Sequence, residues 1–148
     1  MSGLDDLYRE IILDHYRTPR NRGELDPPAV RVEGFNPLCG DEIVVYLAVT
    51  DGVVTDIKLT GQGCSISQAS SSLMSAAVKG KSVDEARAVI GTFKDLMMGP
   101  SATEPTASEL RKLGELAALA GVVKFPVRIK CATLAWNTLT QALDETSN

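Results

Sequence analysis

The stretch Asn36-Pro37-Leu38-Cys39-Gly40-Asp41 places a thiol and a carboxylate two residues apart in a turn bounded by proline and glycine. In extended backbone, residues i and i+2 point to the same side. The other two cysteines, Cys64 and Cys131, each fall where a helix is expected to begin. A helix N-terminus concentrates unpaired N–H groups and positive dipole, which favours thiolate over thiol. The thiolate is the form that binds metal and attacks sulfur electrophiles. Three sulfurs and one carboxylate would suit a tetrahedral zinc ion. Such a set would carry excess negative charge, which Arg128 and Lys130 are near enough in sequence to offset. The positions 39, 41, 64 and 131 match no short zinc-finger spacing, so pattern alone leaves two readings open, metal ligands or buried free thiols. Hydrolytic zinc chemistry fits poorly, because there is no His-Glu-x-x-His and four protein ligands leave no position for water. The Gly61-Gln62-Gly63 turn lacks the Gly-Lys-Ser/Thr of a phosphate loop.

With 148 residues the chain has the length of one domain, 1–148, able to bury a core without a metal or disulfides. A metal in it would therefore serve chemistry more than folding. The net charge of −4 argues against nucleic acid or an anionic membrane as the main partner. One basic cluster, Arg17, Arg20 and Arg22, is a candidate docking patch for an acidic partner, with a solvated surface the plainer alternative. No apolar run is long enough to span a bilayer, and the N-terminal residues are acidic where a signal peptide is basic and then apolar. The expectation is a cytoplasmic protein. An odd count of three cysteines in a reducing compartment argues for free thiols or ligands over disulfides.

The elements that must position these residues can be read in order. Leu4, Leu7, Tyr8, Ile11 and Ile12 recur at helical spacing, predicting a helix from about Leu4 to Arg17, with the sole histidine, His15, near its end as a packed or capping residue. Strands are expected over Val30–Phe35, Ile43–Val49 and Val53–Leu59, the last two joined by an Asp51-Gly52 hairpin turn. In the third strand, Val53, Thr55, Ile57 and Leu59 should share one face. Helices follow: Ser65–Val78, ended by Gly80; one opened by a Ser82/Glu85 capping box and lined by Val83, Ala86, Val89, Ile90, Phe93 and Met97; Glu109–Leu119, ended by Gly121; and about Arg128–Leu143, after Pro126, with Cys131 in its first turn. Gly99–Ser108 reads as a loop. Strands first and helices afterwards define an α+β fold, a three-stranded antiparallel sheet with helices packed on one face.

Four longer motifs go beyond pattern: Tyr16-Arg17-x-Pro19-Arg20-Asn21-x-Gly23, the Cys39 turn, Gly61-x-Gly63-Cys64-Ser65-Ile66-Ser67-x-Ala69-Ser70-Ser71-Ser72, and Arg128-Ile129-Lys130-Cys131-Ala132-x-Leu134-x-Trp136. Through these the chain resembles the IscU-like iron–sulfur cluster assembly proteins over nearly its whole length, and most of all their SufU branch. The scaffold branch carries a His before its third cysteine where this chain has Lys130, and a Leu-Pro-Pro-Val-Lys chaperone segment where this chain has Lys124-Phe125-Pro126-Val127-Arg128. The segment between Cys64 and Cys131 is also longer than in that branch, by an insertion placed around Gly99 to Gly121, as in SufU. The resemblance implies the family's α+β sandwich and a zinc-dependent sulfurtransferase that takes persulfide sulfur from a cysteine desulfurase of the SufS type for downstream iron–sulfur assembly proteins. It further implies Cys39, Asp41, Cys64 and Cys131 as zinc ligands, with Cys39 the catalytic sulfur acceptor. The alternative it carries is a scaffold holding a transient Fe–S cluster.

Overall fold

A computed structural model describes residues 3–37, 40–98 and 114–146. The predicted loop Gly99–Ser108 lies outside the described residues. Helix α1 spans Gly3–Arg17, followed by β1 (Val30–Asn36), β2 (Asp41–Thr50), β3 (Val53–Gln62), α2 (Ser65–Val78), α3 (Val83–Met98), a 3₁₀ segment (Gly114–Lys124) and α4 (Pro126–Thr146). The sheet is antiparallel in the order β1-β2-β3, and the fold is α+β.

Alternation along β1 puts Val32 in the core and Arg31, Glu33 and Phe35 on the solvent side. The inner face is covered by α4, lying against β1 and β2, and by α2 against β3. At Gly34 a Cβ would collide with the Thr138 hydroxyl, so this glycine sets how closely α4 approaches the sheet. Asp51 and Gly52 both have positive φ, 54° and 75°, as a two-residue hairpin turn of this twist requires. The expected face of β3 is corrected at its start. Val54 is buried and Thr55 exposed, because Ala48 pairs with Asp56 and Val49 with Val54, leaving Thr55 as the extra residue of a bulge. A bulge reverses the alternation on one side of it. The Thr55 hydroxyl instead donates to Ala48 O at 3.1 Å.

The Ser82/Glu85 capping box forms at α3 as expected: Glu85 accepts from Ser82 N–H at 3.2 Å and donates its own N–H to Ser82 Oγ at 3.1 Å. Phe93 of α3 stacks on Trp136 of α4 with centroids 4.2 Å apart, and both are fully buried. The expected helix Glu109–Leu119 is corrected in its described part to a 3₁₀ segment, Gly114–Lys124, that continues through Gly121. Helix α4 begins at Pro126 rather than after it. Proline is well suited to the first helical position, where its missing N–H costs no bond.

His15 is a packed residue. It is 1% exposed, with Nδ1 2.7 Å from Ser72 Oγ and Nε2 3.1 Å from Glu115 Oε1. An ionised carboxylate only accepts, so in the neutral ring Nε2 carries the proton, while Ser72 donates to Nδ1 and accepts from Arg20 N–H at 2.8 Å. One side chain thereby ties α1 to α2 and to the 3₁₀ segment.

Candidate metal centre

Asp41 opens β2, opposite Asn36 of β1, and is fully buried. It is reached from the far end of β3 by a turn that only glycines allow. A Cβ at Gly61 (φ +142°) would strike the Glu42 backbone, and one at Gly63 would strike the Asp41 carboxylate. The β3–α2 turn therefore lies directly on the start of β2. Cys64 N–H donates to Asp41 Oδ1 at 3.0 Å, whereas the buried Oδ2 has no hydrogen-bond partner among the described residues. Leaving a buried acceptor unsatisfied costs about 1–3 kcal/mol, and more when it is charged. A cation is the group that most directly satisfies it.

Cys64 is the N-cap of α2, with extended backbone (φ −69°, ψ 168°), and its Sγ accepts from Ser67 N–H at 3.4 Å. Here the expectation of a thiol at a helix N-terminus holds. For Cys131 it is corrected: α4 starts at Pro126, so Cys131 lies in its second turn, and the dipole effect fades within the first. Its position comes from packing. The Ser70 hydroxyl of α2 donates to Ala132 O at 2.6 Å and accepts from Trp136 Nε1–H at 3.0 Å, clamping α4 onto α2 beside Cys131. The thiol is 1% exposed and 4.0 Å from Val127 O.

One ligand atom each from Asp41, Cys64 and Cys131 lies within 4.8 Å of the others. Two soft sulfurs and a carboxylate oxygen whose lone pairs take no hydrogen bond among the described residues are donors that zinc accepts, so these residues fit that ion. The expected fourth ligand, Cys39, lies outside the described residues, on the connection between paired Asn36 and Asp41. Arg128 faces the site. Negative charge on Cys64 foremost, a hydrogen bond to that sulfur, and charge on Cys131 hold its guanidinium pKa above the ordinary value. Lys130 is exposed on the same helix.

The three arginines considered for docking are placed differently from one another. Arg20 pairs with Asp14 at 2.6 Å, and that bond holds the Asp14 carboxyl below the usual range. Arg22 Nη1 lies 3.4 Å from Gly61 O and 3.3 Å from Gln68 Oε1, donating to both. Arg17 is exposed in the last turn of α1. Sequence reasoning gave no role to Gly63 or Ser70, although both sit in the motif around Cys64. A glycine just ahead of a cysteine cap and a serine six residues beyond it were the available signals.

Residues 7–132 match the family model of the NifU-like N-terminal domain. The zinc-dependent sulfurtransferase SufU of Bacillus subtilis is 45% identical over 138 residues, covering 93% of this chain and 90% of that one. The iron–sulfur cluster assembly scaffold protein IscU of Streptococcus pyogenes is 43% identical over 148 residues, covering 100% of this chain and 89% of that one. A crystal structure from Fervidobacterium islandicum, of a protein described as a cluster assembly scaffold for the SUF system, superposes with a TM-score of 0.81 at 32% identity, covering 95% of this chain and 99% of that one.

Proposed function

The chain belongs to the family of the NifU-like N-terminal domain, and from that premise we propose that it is a zinc-dependent sulfur acceptor, taking persulfide sulfur from a cysteine desulfurase of the SufS type for iron–sulfur cluster assembly. The observation that carries this is the cluster of buried Asp41 and Cys131 with half-buried Cys64, in which one Asp41 carboxylate oxygen has no hydrogen-bond partner among the described residues. Cys39, Asp41, Cys64 and Cys131 would hold the zinc, which when bound supplies positive charge that keeps the thiols ionised at neutral pH.

The transfer itself balances without an oxidant. The Cys39 thiolate attacks the outer sulfur of the donor's persulfide, a new S–S bond forms on Cys39, the donor's S–S bond breaks, and the donor cysteine leaves as thiolate. Asp41 and Cys64, fixed by their mutual hydrogen bond, and Cys131, fixed by the Ser70 clamp, are the stationary members. Cys39, which lies outside the described residues, is the member we assign to attack. Arg128 would offset the site's negative charge.

Adding the protein to a SufS-type desulfurase with L-cysteine should raise the desulfurase rate, chelation should abolish the rise, and mass spectrometry should place the extra sulfur on Cys39. Sulfur mapped to Cys64 or Cys131 would reverse the roles. The scaffold reading is favoured by the likeness to IscU. Elemental analysis separates the two: about one zinc per chain supports the acceptor, and iron with acid-labile sulfide supports the scaffold.

A further inference from the structure

A groove of about 600 Å³ runs between α1, the start of α2, the 3₁₀ segment and the start of α4. Its apolar lining comes from Tyr8, Ile12, Leu13, Ile66, Val122 and Phe125, and two arginines, Arg9 and Arg128, stand on it. Among the described residues no acidic side chain lines it. Phe125 is 62% exposed, an unusual state for a phenylalanine in a folded chain.

The arginines single this groove out. Arg20, Arg31 and Arg87 pair with Asp14, Glu33 and Asp144. Arg22 is taken up by Gly61 O and Gln68. Among the described residues Arg9, Arg17 and Arg128 have no carboxylate partner, and two of these three flank the groove. At one end the groove adjoins the candidate metal centre, because Ser65 and Ile66 on its lining follow Cys64 directly and Arg128 on its lining lies one helical turn before Cys131.

We infer that this groove is the docking site for an exposed segment of the sulfur donor that presents an apolar side chain flanked by carboxylates. The apolar side chain enters between α1 and the 3₁₀ segment, and the carboxylates meet Arg9 and Arg128. The charge is complementary, the volume lies within the range of sites that seat a few side chains, and the groove adjoins the candidate metal centre through Ser65, Ile66 and Arg128. The assignment rests on the sulfur-acceptor reading. It places the docking surface at Arg9 and Arg128, which have no carboxylate partner among the described residues, rather than at Arg20 and Arg22, whose guanidinium groups hydrogen-bond to oxygens of the chain.

Two variants test it without touching the metal ligands. Arg9→Glu reverses one rim charge. Gly121→Phe narrows the groove at a wall position where a Cβ meets nothing within 4 Å. The measurement is the concentration of this protein that gives half-maximal stimulation of a purified SufS-type desulfurase with L-cysteine, with metal content and circular dichroism as controls. Each variant should raise that concentration about tenfold or more while leaving metal content and the rate at saturation unchanged. Added salt should weaken the unmodified protein more than Arg9→Glu. Unchanged half-maximal concentrations in both variants would overturn the groove and leave the acceptor reading standing. No stimulation by the unmodified protein would remove that reading and this inference together. If light scattering shows a dimer that Arg9→Glu dissociates, the occupant is a second copy and the inference is wrong.

Discussion

Cys64 and Cys131 bring chemically identical atoms to one centre by opposite means. Cys64 is held locally: it caps α2, its sulfur takes the Ser67 N–H, and its own N–H goes to Asp41. Cys131 sits inside a helix whose backbone is already satisfied, and it reaches the centre because Ser70 and Trp136 lock α4 onto α2. One position is thus set by the end of a secondary-structure element and the other by tertiary packing. They should fail differently. Loss of helix–helix packing should move Cys131 away and leave Cys64 in its cap.

The largest expected effect is at the residue both cysteines meet. Asp41→Asn keeps an oxygen for the Cys64 N–H and withdraws the charge, so zinc affinity should fall by about 10–100-fold. The metal-free protein should melt no lower than wild type, because an amide replaces a buried carboxyl one of whose oxygens has no partner among the described residues. Zinc retained at full affinity would remove Asp41 from the ligand set, and loss of folded protein would contradict the account of the core.

Ser70→Ala comes next, since it leaves the Trp136 N–H without its acceptor and removes the donor to Ala132 O. Chemical denaturation should show a loss of about 1–3 kcal/mol, accompanied by weaker metal binding through Cys131. Unchanged stability would mean that the packing of α4 does not depend on this clamp.

A smaller difference separates the cysteines in the metal-free protein. Cys64→Ser keeps a capping acceptor, an oxygen in place of the sulfur, where Cys64→Ala does not, so the serine variant should be the more stable by about 1 kcal/mol. At Cys131, inside the helix, the same pair should show no such preference for serine. Equal effects at both sites would erase the distinction between a capping and a packed thiol.

The smallest effect calibrates the sulfur cap against an ordinary one. Ser82 N–H bonding holds the Glu85 carboxyl below its usual range. A carboxyl depressed in the folded state stabilises above its unfolded pKa, and that contribution is lost as pH falls through the folded value. The melting deficit of Glu85→Gln should therefore be present at neutral pH and shrink on acidification into the carboxylate range. A deficit constant with pH would show that the capping carboxylate contributes no charge-dependent stability.

What the sequence alone determined is what acts over a few residues. The bounds of α2, the Asp51-Gly52 turn and the α3 capping box follow from helical spacing, glycine and capping side chains. The identity of the donors was equally open to reading, because thiol and carboxylate chemistry belongs to residue type. The missed features are those in which distant residues settle the outcome. The bulge at Thr55 depends on how β3 pairs with β2, and the start of α4 placed Cys131 beyond the reach of the helix terminus. Sequence adjacency of Arg17, Arg20 and Arg22 says nothing of their partners, which the structure supplies as Asp14 for Arg20 and as Gly61 and Gln68 for Arg22, and Arg9 and Arg128, far apart in the chain, line one groove. Only the tertiary structure decided that Asp41, Cys64 and Cys131 meet. Backbone preferences reach one helical turn or one strand pair, whereas convergence of three ligand atoms within 4.8 Å requires α4 to be packed on α2 and the β3–α2 turn to be pressed onto β2.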